Sequence, residues 1–176
     1  MSYRNAKKAG FTLVEILIVV VILGILAAIV IPQFTNASQA ARASQLTAQL
    51  QTIRSQLELA QLEHQGDYPP LDGAGDAGWA ALLNETQRVE TYAAAVAATA
   101  NPAGPYLQKA PNNSFFNGDG TLIGNEATDA WIYNQADGSI RANVNTLDAD
   151  EAAELGFDVY NATTNPRGDV EVAAAS

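Results

Sequence analysis

The chain has 176 residues, a formal net charge of −10 and no cysteine. This length suits one domain, and the lack of thiols excludes disulfides, thiol redox chemistry and thiolate metal sites. The acidic balance argues against a surface that binds nucleic acid, because phosphate backbones are recognised through clustered cations.

The chain begins with a short basic segment that carries Arg4, Lys7 and Lys8. Residues 11–31 follow with Glu15 as their single charge, and Pro32 closes the apolar run. As a helix this run would be about 30 Å long, which is enough to cross one bilayer. An ionised carboxylate inside such a segment costs several kcal/mol unless a partner neutralises it, so Glu15 is a candidate functional residue.

The stretch 7–15 resembles the class III signal of type IV pilins and type II secretion pseudopilins. The resemblance implies that a prepilin peptidase cleaves between Gly10 and Phe11 and then methylates the new amino group of Phe11. It also implies that Glu15 is the family's glutamate, which can pair with the Phe11 amine of a neighbouring subunit. The alternative is a secretory signal peptide, whose cleavage site would follow the apolar run and not precede it.

A long helix is predicted from Phe11 to His64, with a kink at Gly24 and Pro32 because proline removes one helical hydrogen bond. Its second half is amphipathic, since apolar residues recur at spacings of three and four. These residues are Leu46, Leu50, Ile53, Leu57 and Ala60.

We expect the chain to divide into a leader peptide over 1–10, a transmembrane and assembly helix over 11–34, an amphipathic half over 35–64, a globular head over 65–160 and a flexible tail over 161–176. Removing the leader takes the formal charge from −10 to −13, because it carries three cations.

The head is predicted to contain a few short elements. They are an alanine-rich helix over 79–98, a hairpin of strands 130–134 and 139–144, a third strand over 121–123, a helix capped by Asp148 and stopped by Gly156, and a last strand over 157–160. Asp137-Gly138 is a strong hairpin turn signal. The predicted fold class is α+β and pilin-like, with a long N-terminal helix packed on a small antiparallel sheet.

One loop of the head is rich in oxygen ligands of the kind that calcium prefers. Asn117, Asp119, Glu126 and Asp129 are its candidate ligands, although their spacing is not that of an EF-hand. A solvated acidic loop explains the same residues, and no cofactor is required otherwise. His64 is the only histidine and is interpreted as a surface or capping residue, so an enzymatic function has little support.

The resemblance implies a membrane-anchored structural subunit of a homo-oligomeric helical filament. The favoured role is a type II secretion pseudopilin, which crosses the bacterial inner membrane once, exposes its head to the periplasm and polymerises there to drive protein export. Its expected partners are the prepilin peptidase and methyltransferase, the inner-membrane assembly platform and its ATPase. The lack of cysteine and a Tyr-Leu-x-Lys-x-Pro segment at 106–111 favour this role. The alternative is a type IV pilin that serves adhesion, motility or DNA uptake.

Overall fold

A computed structural model describes residues 11–87, 102–161, 165 and 168–172, apart from the side chains of residues 32, 33, 35, 36 and 87. The chain divides into two compact units, Met1–Ala40 and Ala41–Ser176. The helices are α1 (Leu13–Glu63), α2 (Gly75–Gly78), α3 (Ala80–Leu83) and α4 (Ala149–Glu154). The strands are β1 (Thr86–Gln87), β2 (Pro102–Ala103), β3 (Ile123–Gly124), β4 (Trp131–Asn134), β5 (Ser139–Asn143) and β6 (Val170–Glu171).

Helix α1 begins and ends within two residues of the predicted bounds and is continuous through Gly24 and Pro32. The kink predicted at these two residues stays a prediction. In the second unit one face of α1 is buried, because every residue of the apolar stripe is at most 3% exposed. The stripe consists of Ala43, Leu46, Leu50, Ile53, Leu57 and Ala60. The α+β fold class with a long N-terminal helix is confirmed.

Strands β4 and β5 form the predicted hairpin, with Trp131 opposite Ala142 and Asn134 opposite Ser139. Gly138 has a φ of 70° in the turn, a conformation that glycine adopts without steric cost. The Asp137 carboxylate accepts a 2.9 Å hydrogen bond from the Ser139 backbone N–H. This bond to the charged form holds the pKa of Asp137 below its usual value. The Asp-Gly signal therefore predicted the turn correctly.

The sheet is mixed and not purely antiparallel as predicted. Its strand order is β3-β4-β5-β6, and the β3–β4 and β5–β6 pairs are parallel. Strand patterns in a sequence do not encode the direction of pairing. Parallel strands usually need a long crossover connection. The segment between β5 and β6 supplies one that contains α4, whereas only residues 125–130 join the parallel strands β3 and β4. Helix α4 itself is confirmed, with a capping box between Asp148 and Glu151 at its start.

In its described part, the predicted helix over 79–98 is confirmed only for Ala80–Leu83 and is wrong for residues 84–87. Helix α3 ends at Leu83, and Thr86–Gln87 form strand β1, which pairs with Pro102–Ala103 in β2. Alanine-rich composition favours a helix only weakly, and here tertiary contacts of Thr86 override it. Residues 88–98 lie outside the described residues.

The last strand lies further along the chain than predicted. Val159 makes only an isolated bridge to Val170, and β6 falls within the segment that was predicted to be a flexible tail. Val170 is fully buried, and Asp169 accepts a 2.5 Å hydrogen bond from the Arg54 guanidinium of α1. Arg54 also donates to the Ile140 carbonyl at 2.9 Å, so one side chain of α1 ties the hairpin to this final strand.

Candidate assembly site

Thr12 and Glu15 form a capping box at the start of α1. The Thr12 carbonyl accepts the first helical bond from Ile16, which makes Thr12 the N-cap residue. The Glu15 backbone N–H donates to the Thr12 hydroxyl oxygen at 3.2 Å. In return, the Thr12 backbone N–H and hydroxyl each donate to Glu15 Oε2 at 3.3 Å. The carboxylate is therefore held at the positive end of the helix, where the macrodipole favours a negative charge.

The role of Thr12 was missed by the sequence analysis, although its signal was present. A Thr-x-x-Glu spacing directly before an apolar helix is the signature of a capping box. The apolar run around Glu15 draws attention instead to the cost of its charge in lipid and to a partner in another subunit. Within a single chain, Thr12 already supplies two hydrogen bonds to that carboxylate.

The start of α1 exposes an apolar surface of membrane-spanning length. Leu13–Ile31 is long and apolar enough to cross a membrane, by length and composition alone. Every Leu, Ile and Val between residues 13 and 31 is at least 42% exposed, and Phe11 is 80% exposed. Such a surface requires lipid or other apolar helices around it.

The remaining predicted residues of the N-terminal site are placed as follows. Gly24 lies within α1, and a side chain added there would meet nothing within 4 Å. Pro32 also lies within α1, and Gly10 lies outside the described residues. The assignments of cleavage to Gly10, of methylation to Phe11 and of assembly to Glu15 stay predictions.

Of the four calcium candidates, the carboxylates of Asp119 and Asp129 accept hydrogen bonds from their own loops. Asp119 accepts hydrogen bonds from the Thr121 hydroxyl at 2.6 Å and from the Thr121 backbone N–H at 2.9 Å. These bonds, the hydroxyl first, hold the pKa of Asp119 below its usual value. Asp129 accepts from the Glu126 backbone N–H at 2.8 Å, and Asn117 donates its own N–H to Asn145. Within the described ranges no three His, Cys, Asp or Glu residues are grouped to hold a metal, and the calcium site stays a prediction.

His64 is fully buried, so its interpretation as a surface residue is wrong. Its Nδ1 lies 2.9 Å from the Ala60 carbonyl and its Nε2 lies 2.8 Å from the Thr86 hydroxyl. The neighbouring Glu63 accepts a 2.7 Å hydrogen bond from the Tyr106 hydroxyl. Because Thr86 lies in β1 and Tyr106 follows β2 by three residues, these bonds connect the end of α1 to the β1–β2 pair. His64 has a structural role here.

Comparison with known proteins identifies the N-terminal segment. Residues 5–31 match the family model of the prokaryotic N-terminal methylation motif. The chain is 40% identical over 61 residues to the type II secretion system core protein G of Pseudomonas aeruginosa, which is 35% of this chain and 43% of the relative. It is 43% identical over 59 residues to the type IV major fimbrial protein FimA of Dichelobacter nodosus. This match covers 34% of this chain and 38% of the relative. It is 39% identical over 60 residues to the type IV narrow pilus major component PilA5 of Thermus thermophilus. This match covers 34% of this chain and 52% of the relative.

The matched parts span between 38% and 52% of the length of these three relatives. No solved structure matches the chain. The chain thus carries a prepilin-type N-terminal motif, and its relatives include both secretion proteins and pilins. Its long apolar helix and small mixed sheet are consistent with an α+β type IV pilin fold.

Proposed function

We propose that this protein is a structural subunit of a pilus-like filament, and specifically a type II secretion pseudopilin that polymerises in the periplasm to drive protein export. The observation that carries the proposal is the methylation motif over residues 5–31, which runs directly into an exposed apolar helix. Before assembly that helix spans the inner membrane once, with the head in the periplasm. The similarity to the type II secretion system core protein G of Pseudomonas aeruginosa supports the secretion role.

Maturation is carried out by a partner enzyme and not by this chain. A prepilin peptidase cleaves after Gly10 and methylates the amino group of Phe11. In the mature chain Phe11 is the first residue and directly precedes the capping box. Its amine therefore carries a positive charge close to the Glu15 carboxylate of its own helix or of a neighbouring one.

In the filament, Glu15 pairs with the Phe11 amine of the next subunit. The apolar faces of packed helices replace lipid, and two opposite charges in that environment attract far more strongly than in water. This attraction offsets part of their desolvation and sets the stagger between subunits. An inner-membrane platform and its ATPase drive the extraction of the subunit from the bilayer.

Two substitutions at Glu15 separate charge pairing from helix capping. Gln can still make the reciprocal capping bond but carries no charge, whereas Ala loses both. If pairing is required, Glu15→Gln and Glu15→Ala both remain bound to the membrane and form no filaments. If Glu15→Gln assembles as well as the unchanged protein, the pairing mechanism is wrong and Glu15 acts only as a cap.

The second candidate function is that of a type IV pilin on the cell surface, which is supported by the similarity to FimA and PilA5. Deletion of the gene and complementation distinguish the two roles. A pseudopilin mutant loses export of secreted proteins and retains its surface pili. A pilin mutant loses surface filaments, with the associated adhesion, motility or DNA uptake, and retains export.

A further inference from the structure

Two of the four basic residues described in the second unit already have partners within the chain. Arg54 binds Asp169 and the Ile140 carbonyl. Arg141 approaches Glu171 at 3.4 Å and lies 3.8 Å above the ring centre of Tyr160. The other two, Arg42 and Lys109, are exposed. Across the described ranges, the salt bridges involve Arg54 and Arg141 but neither of these two.

Lys109 lines a groove beside α1, and Arg42 lies on α1 one turn before that groove. Lys109 lines a groove of about 460 Å³ together with Gln45, Gln49 and Asn112. Arg42 precedes Gln45 by three residues and Gln49 by seven, so it lies on the same face of the helix. The groove is lined by both polar and apolar side chains, with Lys109 in its lining and Arg42 one turn of α1 before it, in a chain whose net charge is strongly negative. We name it the cationic groove.

Helix α4 offers the complementary charge elsewhere on the chain. Four carboxylates lie within seven residues there, and all of them are exposed: Asp148, Asp150, Glu151 and Glu154. Asp148 and Glu151 are engaged in the capping box. Asp150 and Glu154 stand four residues apart, a spacing at which like charges destabilise a helix. Glu154 also lies in the last turn, which contains no basic residue and where the helix dipole disfavours an anion.

We propose that the cationic groove of one subunit binds helix α4 of a second copy of this chain, with Arg42 and Lys109 facing Asp150 and Glu154. The proposal rests on the proposed function, because it describes a contact within the filament. The two patches are different surfaces of one chain, so the interface is heterologous. Repeated heterologous contacts that do not close into a ring generate an open helical filament. The contact also reduces the repulsion between strongly acidic subunits.

A charge exchange tests the contact. The double variant Arg42→Glu/Lys109→Glu should lower the filament yield roughly tenfold, as expected for the loss of two exposed ion pairs, with an unchanged amount of subunit in the membrane. Adding Asp150→Lys and Glu154→Lys restores complementarity and should restore the yield. Adding Asp67→Lys and Asp72→Lys instead makes the same change in net charge at exposed positions outside α4 and should not restore it.

Cross-linking gives an independent measurement, because the unchanged chain has no cysteine. One subunit carries Asn112→Cys in the groove, and a second, co-expressed subunit carries Ala153→Cys on α4. A disulfide-linked dimer is expected in the filament fraction, and a partner with Asp72→Cys in place of Ala153→Cys should give none.

The outcomes separate this inference from the proposed function. Rescue by the α4 substitutions together with the specific cross-link supports the contact. If the unchanged chain forms filaments but neither rescue nor cross-link occurs, this interface is wrong while the filament function stands. If the unchanged chain forms no filaments in any fraction, the proposed function fails and the contact fails with it.

Discussion

At the scale of single residues, the proposed function depends most on the start of α1. Glu15 is the one charge in the apolar run, and its carboxylate is held by the backbone N–H and the hydroxyl of Thr12. A carboxylate with hydrogen-bond donors is less costly to keep in lipid than a bare one. In the proposed filament, the same bonds would orient the Glu15 carboxylate for pairing with the Phe11 amine of a neighbouring subunit.

The hydroxyl of Thr12 can be tested by substitution. Thr12→Val keeps the shape of the side chain but removes both hydroxyl bonds, and loss of an N-cap typically costs about 0.5–2 kcal/mol. We expect a reduced filament yield from Thr12→Val with normal membrane insertion. Thr12→Ser keeps the hydroxyl and is the matched control. Filament yields that are equal for the Val and Ser variants would show that the capping box has no role in assembly.

The sequence predicted Glu15 as a site because a charge in an apolar run is conspicuous, but it did not predict the burial of His64. That burial follows from a pattern that was visible, since His64 continues the spacing of Leu57 and Ala60 along the stripe. The polar character of histidine favoured the surface interpretation. Its two hydrogen-bond partners, Ala60 and Thr86, are what make full burial tolerable. Thr86 lies 22 residues along the chain, and such a partner cannot be read from local sequence.

At the scale of elements, α1 has two faces that differ sharply in exposure within its last two turns. Leu57 is 1% exposed and Leu62 is 80% exposed. Leu57→Ala removes buried methyl groups from the core and should lower the free energy of unfolding by about 2–5 kcal/mol. Leu62→Ala makes the same chemical change on the exposed face and should alter it by less than about 0.5 kcal/mol. Denaturant unfolding of the full chain in detergent micelles measures both, and similar losses would contradict the assignment of the buried stripe.

Two turn glycines provide a second matched pair. Gly138 and Gly156 both have positive φ, at 70° and 81°. A side chain at Gly156 meets nothing within 4 Å, whereas one at Gly138 would overlap the ring of Tyr68. Gly156→Ala should therefore cost only the backbone penalty of about 1–2 kcal/mol. Gly138→Ala should cost about 1–3 kcal/mol more because of overpacking. Thermal unfolding monitored by circular dichroism compares the two, and a smaller loss for Gly138→Ala would mean that Tyr68 does not pack on the turn.

The elements that the sequence predicted well are those with a strong local signal. The heptad-like stripe of α1, the Asp137-Gly138 turn and the cap at Asp148 each depend on neighbouring residues. Strand β6 was missed because its two residues carry little pattern, and its position depends on pairing with β5. The direction of strand pairing was wrong for the same reason, since it is decided by the path of the chain between strands.

At the scale of the whole molecule, the proposed filament would join acidic subunits that carry the same charge. Apolar helices would supply the non-specific part of the driving force. In this proposal two charged pairs set the geometry: Glu15 with Phe11 at the N-terminus, and the cationic groove with α4 in the second unit. The first pair is suggested by the N-terminal motif alone. The second required the structure, because only the structure separates Arg42 and Lys109 from the arginines that are already paired within the chain.

The central claim is that this chain becomes a filament subunit that begins at Phe11. The most direct test is intact-mass and N-terminal analysis of the protein in sheared surface filaments and in the remaining envelope. The account predicts a chain that begins with methylated Phe11, found mainly in the envelope if the filament is a periplasmic pseudopilus. The same processed chain in sheared filaments would assign it to a surface pilus. A chain that retains residues 1–10, or one that is cleaved after the apolar run, would contradict the account.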